Sequence, residues 1–316
     1  MDRRSFLTRS ALAAAGLAFG TRGAQAQGGF KHMLHKALIV GKPEEAVLAK
    51  MKAAGFEGVE AGIIPPAEAA ECRKMAEQLG MRIHSVLRGW ANYNESAEQI
   101  AADLKTDEAA LRAAQGYGAD AVLLVPAKIG GMPMPEPWEF QIEFDDRGHL
   151  TRVAEGDNAK YKDFIAAHDH AYDTSQAAIK KLIPIAEECK VVIAVENVWN
   201  NLFLAPEHLA HFVESFQSPW VQVYFDLGNH VKYSPTEHWV EVLAKRIVKC
   251  HVKDFRLNPD GHDGRFVDIC EGSVNWPVVR KALDDVGYAG WMTIEGSGDL
   301  SLQEQNRRLE LIIAGK

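Results

Sequence analysis

From Phe30 onward the chain alternates short apolar runs with longer amphipathic stretches. Eight short runs, at 35–40, 57–62, 82–88, 119–125, 191–197, 221–227, 247–253 and 290–295, have the length and near-continuous apolarity of strands buried on both faces. Apolar positions at helical spacing fill the gaps and predict helices at 43–54, 66–79, 95–116, 162–188, 206–217, 236–245, 276–286 and 300–313. Pro43 with Glu44 and Glu45, and Pro206 with Glu207, mark helix starts; Gly55, Gly80 and Gly287 mark stops. Eight strand–helix units with no Pro-, Gly- and Ser-rich break predict one parallel (β/α)8 barrel, a TIM barrel. A doubly wound open sheet is the alternative, but no glycine-rich turn follows 35–40.

One segment breaks the alternation. Residues 128–160 open with IGGMPMPEPW; Phe140, Ile142 and Phe144 then alternate with polar residues before the turn Asp145-Asp146-Arg147-Gly148. This pattern predicts a β-hairpin inserted after the fourth strand. Such an insertion lies on the rim where barrel enzymes keep their chemistry, and it either covers a site there or decorates the surface.

Four polar residues stand at the ends of the last four apolar runs: Glu196 in VVIAVENV, Asp226 in VQVYFDLGN, His251 in RIVKCHVKDF and Glu295 in GWMTIEGS. Their spacings of 30, 25 and 44 residues are each about one strand–helix unit, so all four are expected on one rim. Unpaired, three carboxylates and an imidazole at a barrel mouth would be costly to desolvate. A dication resolves that cost, and this oxygen and nitrogen donor set suits one divalent ion: Mn²⁺, Mg²⁺, Co²⁺ or Zn²⁺.

Neighbouring residues supply candidate substrate contacts. Lys253 shares strand parity with His251 and is expected to point into the mouth, with Asp254 pointing away to orient the loop. Asn229 and His230 follow Asp226 closely enough to lie behind it or against substrate. Glu60 and His84 are placed at the ends of strands two and three, opposite the metal, where polyol hydroxyls would be read. Trp199 is placed to stack on a sugar face. His168 and His170 are two apart on a helix and share no face, so they are set aside as ligands. His262 and Asp263 fall in a glycine-rich loop and are expected in solvent.

The first 26 residues carry Arg3-Arg4 before Ser5-Phe6-Leu7, a short Ala/Leu/Gly stretch and Ala24-Gln25-Ala26. These features read as an export signal of the twin-arginine type, leaving a mature 27–316 domain in the periplasm. Removing Arg3, Arg4, Arg9, Arg22 and Asp2 leaves 31 basic and 42 acidic residues, a net charge of −11. That surface argues against a nucleic-acid partner. No later stretch is apolar for long enough to span a bilayer. Cys72, Cys189, Cys250 and Cys270 form no CxxC pair, and buried free thiols are favoured over disulfides.

VENVWNN, YFDLGN, HVKDF, CEGSVNW and TIEGSG together resemble the sugar phosphate isomerase/epimerase family of xylose isomerase-like barrels, over essentially the whole 27–316 region. The resemblance implies that Glu196, Asp226, His251 and Glu295 hold one divalent metal and that Glu196 and Glu295 also act as the acid/base pair. There is a departure. The ketose 3-epimerases of this superfamily place a histidine three residues after the ligand aspartate and an arginine six after the ligand histidine. Here those positions hold Asn229 and Leu257, with His230 and Arg256 one residue off each. Arg256 and His230 therefore join the candidate substrate contacts, and the sugar stays open.

Chemically, a dication on a carbonyl oxygen and an adjacent hydroxyl acidifies the intervening C–H. Flanking carboxylates then suit proton removal and return. The expected activity is a metal-dependent carbohydrate isomerase or epimerase on a non-phosphorylated sugar or keto-sugar, since export separates the chain from cytoplasmic sugar phosphates. The alternatives are a lyase, dehydratase or hydrolase of an oxidised (3-keto) glycoside and a non-enzymatic carbohydrate-binding protein. Expected partners are a small-molecule carbohydrate, the twin-arginine export machinery and, as an open alternative, further copies of the chain.

Overall fold

A computed structural model describes residues 29–316; the expected export signal lies outside the described residues. Among the described residues there are twelve strands: β1 (His35–Ile39), β2 (Gly58–Ala61), β3 (Arg82–Trp90), β4 (Ala121–Val125), β5 (Phe140–Phe144), β6 (Leu150–Ala154), β7 (Val192–Glu196), β8 (Val221–Asp226), β9 (Ile247–Val252), β10 (Asp254–Leu257), β11 (Gly264–Val267) and β12 (Trp291–Ile294). Eight of them close into a parallel barrel in the order β1-β2-β3-β4-β7-β8-β9-β12, with β12 pairing back to β1. The helices between them are α1 (Glu45–Ala53), α2 (Pro66–Gln78), α3 (Ala97–Tyr117), α4 (Lys162–Cys189), α5 (Pro206–Glu214), α6 (Thr236–Leu243), α7 (Trp276–Asp285) and α8 (Leu302–Ile313). The fold is the (β/α)8 barrel that the alternation predicts. No helix among the described residues is long and apolar enough to cross a membrane.

Most of the apolar core lies between barrel and helices, from Leu34, Val59 and Ile83 to Phe212, Trp239 and Ile312. The barrel interior holds a small second cluster of Ala121, Leu123, Val125, Ala194 and Tyr224. Beside it lie fully buried polar groups, Glu60, His84, Ser85, His251 and Thr293. TIM-barrel interiors are usually filled by branched apolar residues, so a polar interior has to be held by hydrogen bonds.

The inserted hairpin forms as β5 and β6, paired antiparallel. Its tip docks on α4 and α5: Leu150 N–H donates to Asp169 Oδ1 at 2.9 Å, and the Gly148 carbonyl accepts from His208 Nε2 at 2.9 Å. Gly148 has φ +85°, and a Cβ there would lie 2.3 Å from the Tyr172 ring, so the tip needs glycine on both counts. The entry to the hairpin crosses the rim. Trp138 stacks on His262 at 4.2 Å between ring centroids, and Phe140 meets Tyr233 edge-on at 5.1 Å. His262 and Asp263 are exposed, as their loop predicts, and His262 in addition stacks on Trp138. The insertion lies over the loops that follow β8 and β9.

A second hairpin, β10 paired with β11, occupies what reads in the sequence as a loop after strand seven. All four cysteines are free thiols; Cys72, Cys189 and Cys250 are buried and Cys270 is exposed.

Candidate metal centre

Glu196 ends β7, Asp226 ends β8, His251 lies one residue before the end of β9, and Glu295 follows β12. One ligand atom from each lies within 4.8 Å of the other three. His251 Nδ1 is 2.8 Å from Glu295 Oε2 and 3.2 Å from Glu196 Oε1. Lys253 Nζ lies 2.8 Å from Glu295 Oε1, 3.7 Å from Asp226 Oδ2 and 3.4 Å from Asn229 Oδ1. Strand parity brings Lys253 into the mouth, as expected. Asp254 faces the other way and accepts from the N–H groups of Phe255 and Gly272 and from Trp276 Nε1.

Asp226 is held by its own turn. Its Oδ1 accepts from Gly228 N–H at 2.8 Å and Asn229 N–H at 2.7 Å, whereas Oδ2 is buried without a hydrogen bond. Asn197, which the sequence did not mark, clamps β7 to β8. Its Oδ1 accepts from Asp226 N–H at 2.6 Å, and its Nδ2 donates to the Asp226 carbonyl at 2.9 Å. Gly228 sits against the end of β9, where a Cβ would come within 2.7 Å of the Lys253 backbone. Gly228→Ala is expected to cost about 1–3 kcal/mol by overpacking and to displace Lys253. Urea denaturation checks the first effect; wild-type stability in the variant would refute it.

Electrostatics separate the carboxylates. Burial pushes Glu196 up to about 7, helped by Glu295 and Asp226 and opposed by His251. Burial also acts on Glu295, but His251 and Lys253 outweigh it and hold that carboxyl down at about 2. Burial opposes charge on His251, yet Tyr224, Glu60, Glu196 and Glu295 keep it well above the ordinary imidazole range. Four carboxylates, those of Glu60, Glu196, Asp226 and Glu295, thus face one lysine and one imidazole. The uncompensated negative charge, the orphaned Asp226 Oδ2 and the mixed oxygen and nitrogen donors all fit a divalent cation.

A cleft of about 400 Å³ adjoins this cluster, lined by Lys253, Arg256, Phe266, Glu295 and residues 296–299. A larger one, about 580 Å³, opens between Val213, Val221 and Arg246 at the N-terminal ends of β8 and β9. The site-bearing face of such barrels is the other one.

Several expected substrate contacts lie elsewhere. Glu60 does not read hydroxyls in the mouth; it is fully buried, with Oε2 2.6 Å from His251 Nε2 and Oε1 accepting from Ser85 Oγ at 2.9 Å. His84 is not at a strand end, because β3 runs on to Trp90 and Ser85 pairs with Ala121, the first residue of β4. Deep in the barrel, His84 stacks on Trp291 at 4.5 Å and its Nε2 meets Thr293 Oγ1 at 3.0 Å. Trp199 packs against Phe255 and Phe266 with Lys232 Nζ 3.7 Å above its ring, and its Nε1 donates to the Asn229 carbonyl. These contacts brace the loop after β8, with the ring half-buried. Asn229 is buried behind Asp226 and donates to the Asn197 carbonyl at 2.9 Å. Arg256 borders the cleft, with Nε donating to the Glu271 carbonyl at 2.9 Å.

His230 turns away from the mouth. It stacks on Tyr233 at 4.5 Å, packs against Trp239 of α6, and its Nε2 meets the Val198 carbonyl at 3.2 Å. Burial pushes His230 down to about 3, and burial together with His168 does the same to His208. A folded pKa below the unfolded value near 6.5 means stability present above that pH and lost as pH falls toward 3. Each histidine contributes about 1.4 kcal/mol per pH unit across that window. The urea midpoint is therefore expected to fall between pH 6.5 and 5, less steeply in a His208→Gln/His230→Gln double variant. An equal slope in the variant would refute the assignment.

The sequence model of the family described as "Xylose isomerase-like TIM barrel" matches residues 48–311. The chain belongs to that family. Solved barrels with this architecture include a D-tagatose 3-epimerase-like protein (TM-score 0.66, 18% identity, covering 88% of this chain and 98% of that one). A 3-keto-D-glucoside 4-epimerase from E. coli gives a TM-score of 0.64 at 13% identity, covering 88% of this chain and 98% of that one. A D-psicose 3-epimerase from Clostridium cellulolyticum H10, solved with D-tagatose, gives 0.61 at 13% identity, covering 89% of this chain and 96% of that one. At these identities the likeness is one of fold. An uncharacterised protein of Methanocaldococcus jannaschii is 28% identical over 129 residues, 39% of this chain and 43% of that protein. The match thus spans less than half of that relative. In this xylose isomerase-like barrel the four candidate ligands all come from the second half of the chain.

Proposed function

We propose that this barrel is a divalent-metal-dependent carbohydrate isomerase or epimerase acting on a non-phosphorylated sugar or keto-sugar. The observation that carries the reading is the convergence of Glu196, Asp226, His251 and Glu295, with the buried Asp226 Oδ2 lacking any hydrogen bond. The named activities of the D-psicose and 3-keto-D-glucoside epimerases, which share the fold, support a sugar substrate.

Glu196, Asp226, His251 and Glu295 would hold the ion. A bound dication polarises a substrate carbonyl and lowers the pKa of the neighbouring C–H. The protein's own residues divide the proton work. Glu196 and Glu295 both border the ion site and are the two carboxylates placed to remove a proton and return one. Lys253, whose ammonium is kept charged by Asp226 and Glu295 against burial, can hydrogen-bond an oxygen that gains negative charge. The cleft of about 400 Å³ is of the size of small-ligand pockets. Arg256 spends two guanidinium N–H groups on the Glu271 carbonyl, which favours a neutral substrate over a phosphorylated one. The export reading points the same way.

The test is incubation with ketoses and 3-keto glycosides in deuterated water. Inversion or isomerisation with deuterium uptake is expected. Release of an aglycone would instead assign a lyase or hydrolase, and tight sugar binding that survives chelation without turnover would assign a binding protein.

A further inference from the structure

We propose that Glu60 is a positioning residue for the metal-binding imidazole: from the far side of the barrel it fixes which nitrogen of His251 faces the ion. The inference rests on the metal reading of Glu196, Asp226, His251 and Glu295. Glu60 lies on β2 and His251 on β9, and β12 and β1 separate those strands in the barrel. The contact therefore crosses the interior instead of following a strand pair. Both side chains are fully buried, and the Oε2–Nε2 distance is 2.6 Å.

The chemistry constrains the ring. A neutral imidazole has one proton for two nitrogens, and an ionised carboxylate only accepts. With Glu60 against Nε2, the proton belongs on Nε2, because the other tautomer would set two lone pairs against each other at hydrogen-bond distance. That choice leaves Nδ1, which faces Glu196 and Glu295, as the nitrogen that gives up its proton to a metal. The ring has little freedom to turn, since Tyr224 packs on it at 4.4 Å between centroids. Glu60 is itself fixed, its second oxygen accepting from Ser85 Oγ at 2.9 Å. Among the described residues, His251 is the only ion-pair partner of Glu60.

A purely structural pair would do none of this. For a purely structural pair, neutralising one partner lowers the stability of the fold and leaves the affinity for a metal unchanged. A carboxylate that orients a metal-binding histidine typically contributes 10- to 100-fold in metal affinity, an order-of-magnitude figure. The two roles therefore separate in metal binding by a protein that stays folded.

The experiment titrates Mn²⁺ alone into metal-free wild-type protein and the Glu60→Gln variant by calorimetry, with circular dichroism and apo-protein melting as fold controls. Wild type is expected to bind one ion, and Glu60→Gln to bind one about 10- to 100-fold more weakly. The visible spectrum of the Co²⁺-loaded protein is expected to shift in the variant, because an amide oxygen polarises the Nε2–H bond less than a carboxylate and so weakens Nδ1 as a donor. Equal Mn²⁺ affinity and an unchanged Co²⁺ spectrum in folded Glu60→Gln overturn the inference while leaving the metal reading intact. Failure of wild type to bind any ion overturns both. Should Glu60→Gln not fold, Ser85→Ala decides: it keeps the carboxylate but releases its second oxygen. A weaker Mn²⁺ affinity supports the proposal, and a wild-type affinity overturns it.

Discussion

Glu295→Gln is expected to lower turnover by about 10²- to 10⁴-fold, the usual contribution of a positioned acid or base, while leaving the fold intact. The amide has nearly the same shape but cannot take up a proton at neutral pH. Glu295 follows the last barrel strand, with one oxygen 2.8 Å from Lys253 Nζ and the other 2.8 Å from His251 Nδ1. Before an ion binds, those two cations hold it ionised, whereas the neighbouring Glu196 is pushed up to about 7 by burial. Because Glu295 is also a candidate ligand, the assay is run at saturating Mn²⁺ with metal content measured. Loss of deuterium exchange at full metal occupancy isolates the proton role; unchanged turnover would sink the acid/base assignment.

Removal of the metal is expected to abolish activity and to lower stability together. Without the ion, Asp226 Oδ2 stays buried and unbonded, and the negative charge of four carboxylates is met only by Lys253 and His251. Restoring Mn²⁺ or Co²⁺ at about 1,000 times its dissociation constant should stabilise the fold by about 4 kcal/mol, read as a rise in melting temperature. Elemental analysis of the purified protein, with EDTA-treated controls, is the direct check. Absence of stoichiometric metal even after divalent ions are added back would remove the central claim.

The candidate ligands were legible because barrel strands are buried on both faces. A run such as VVIAVE reads as a strand whose first polar residue marks its emergence at the rim, and Asp226, His251 and Glu295 follow the same rule. Parity then aimed Lys253 inward and Asp254 away. The same reasoning misplaced His84 because β3 continues beyond it, its register against β4 shifting between Leu87 and Gly89. No local signal marks where such an irregularity falls. Tyr224, two residues before Asp226 in YFDLGN, could have been found by parity. Asn197 could not, since its value lies in bonding a strand 29 residues away.

By itself, then, the sequence determined the period of the chain, the closed eight-strand barrel and the four strand-end groups at its mouth. These follow from burial and side-chain alternation, which act within a few residues. Tertiary structure decided the rest: that Glu60 reaches across the barrel to His251, that His230 turns outward against Trp239, and that Trp138 reaches His262 over the rim. Those outcomes depend on strand register, barrel closure and loop path, which bring together residues as far as 191 positions apart. No short-range pattern encodes them.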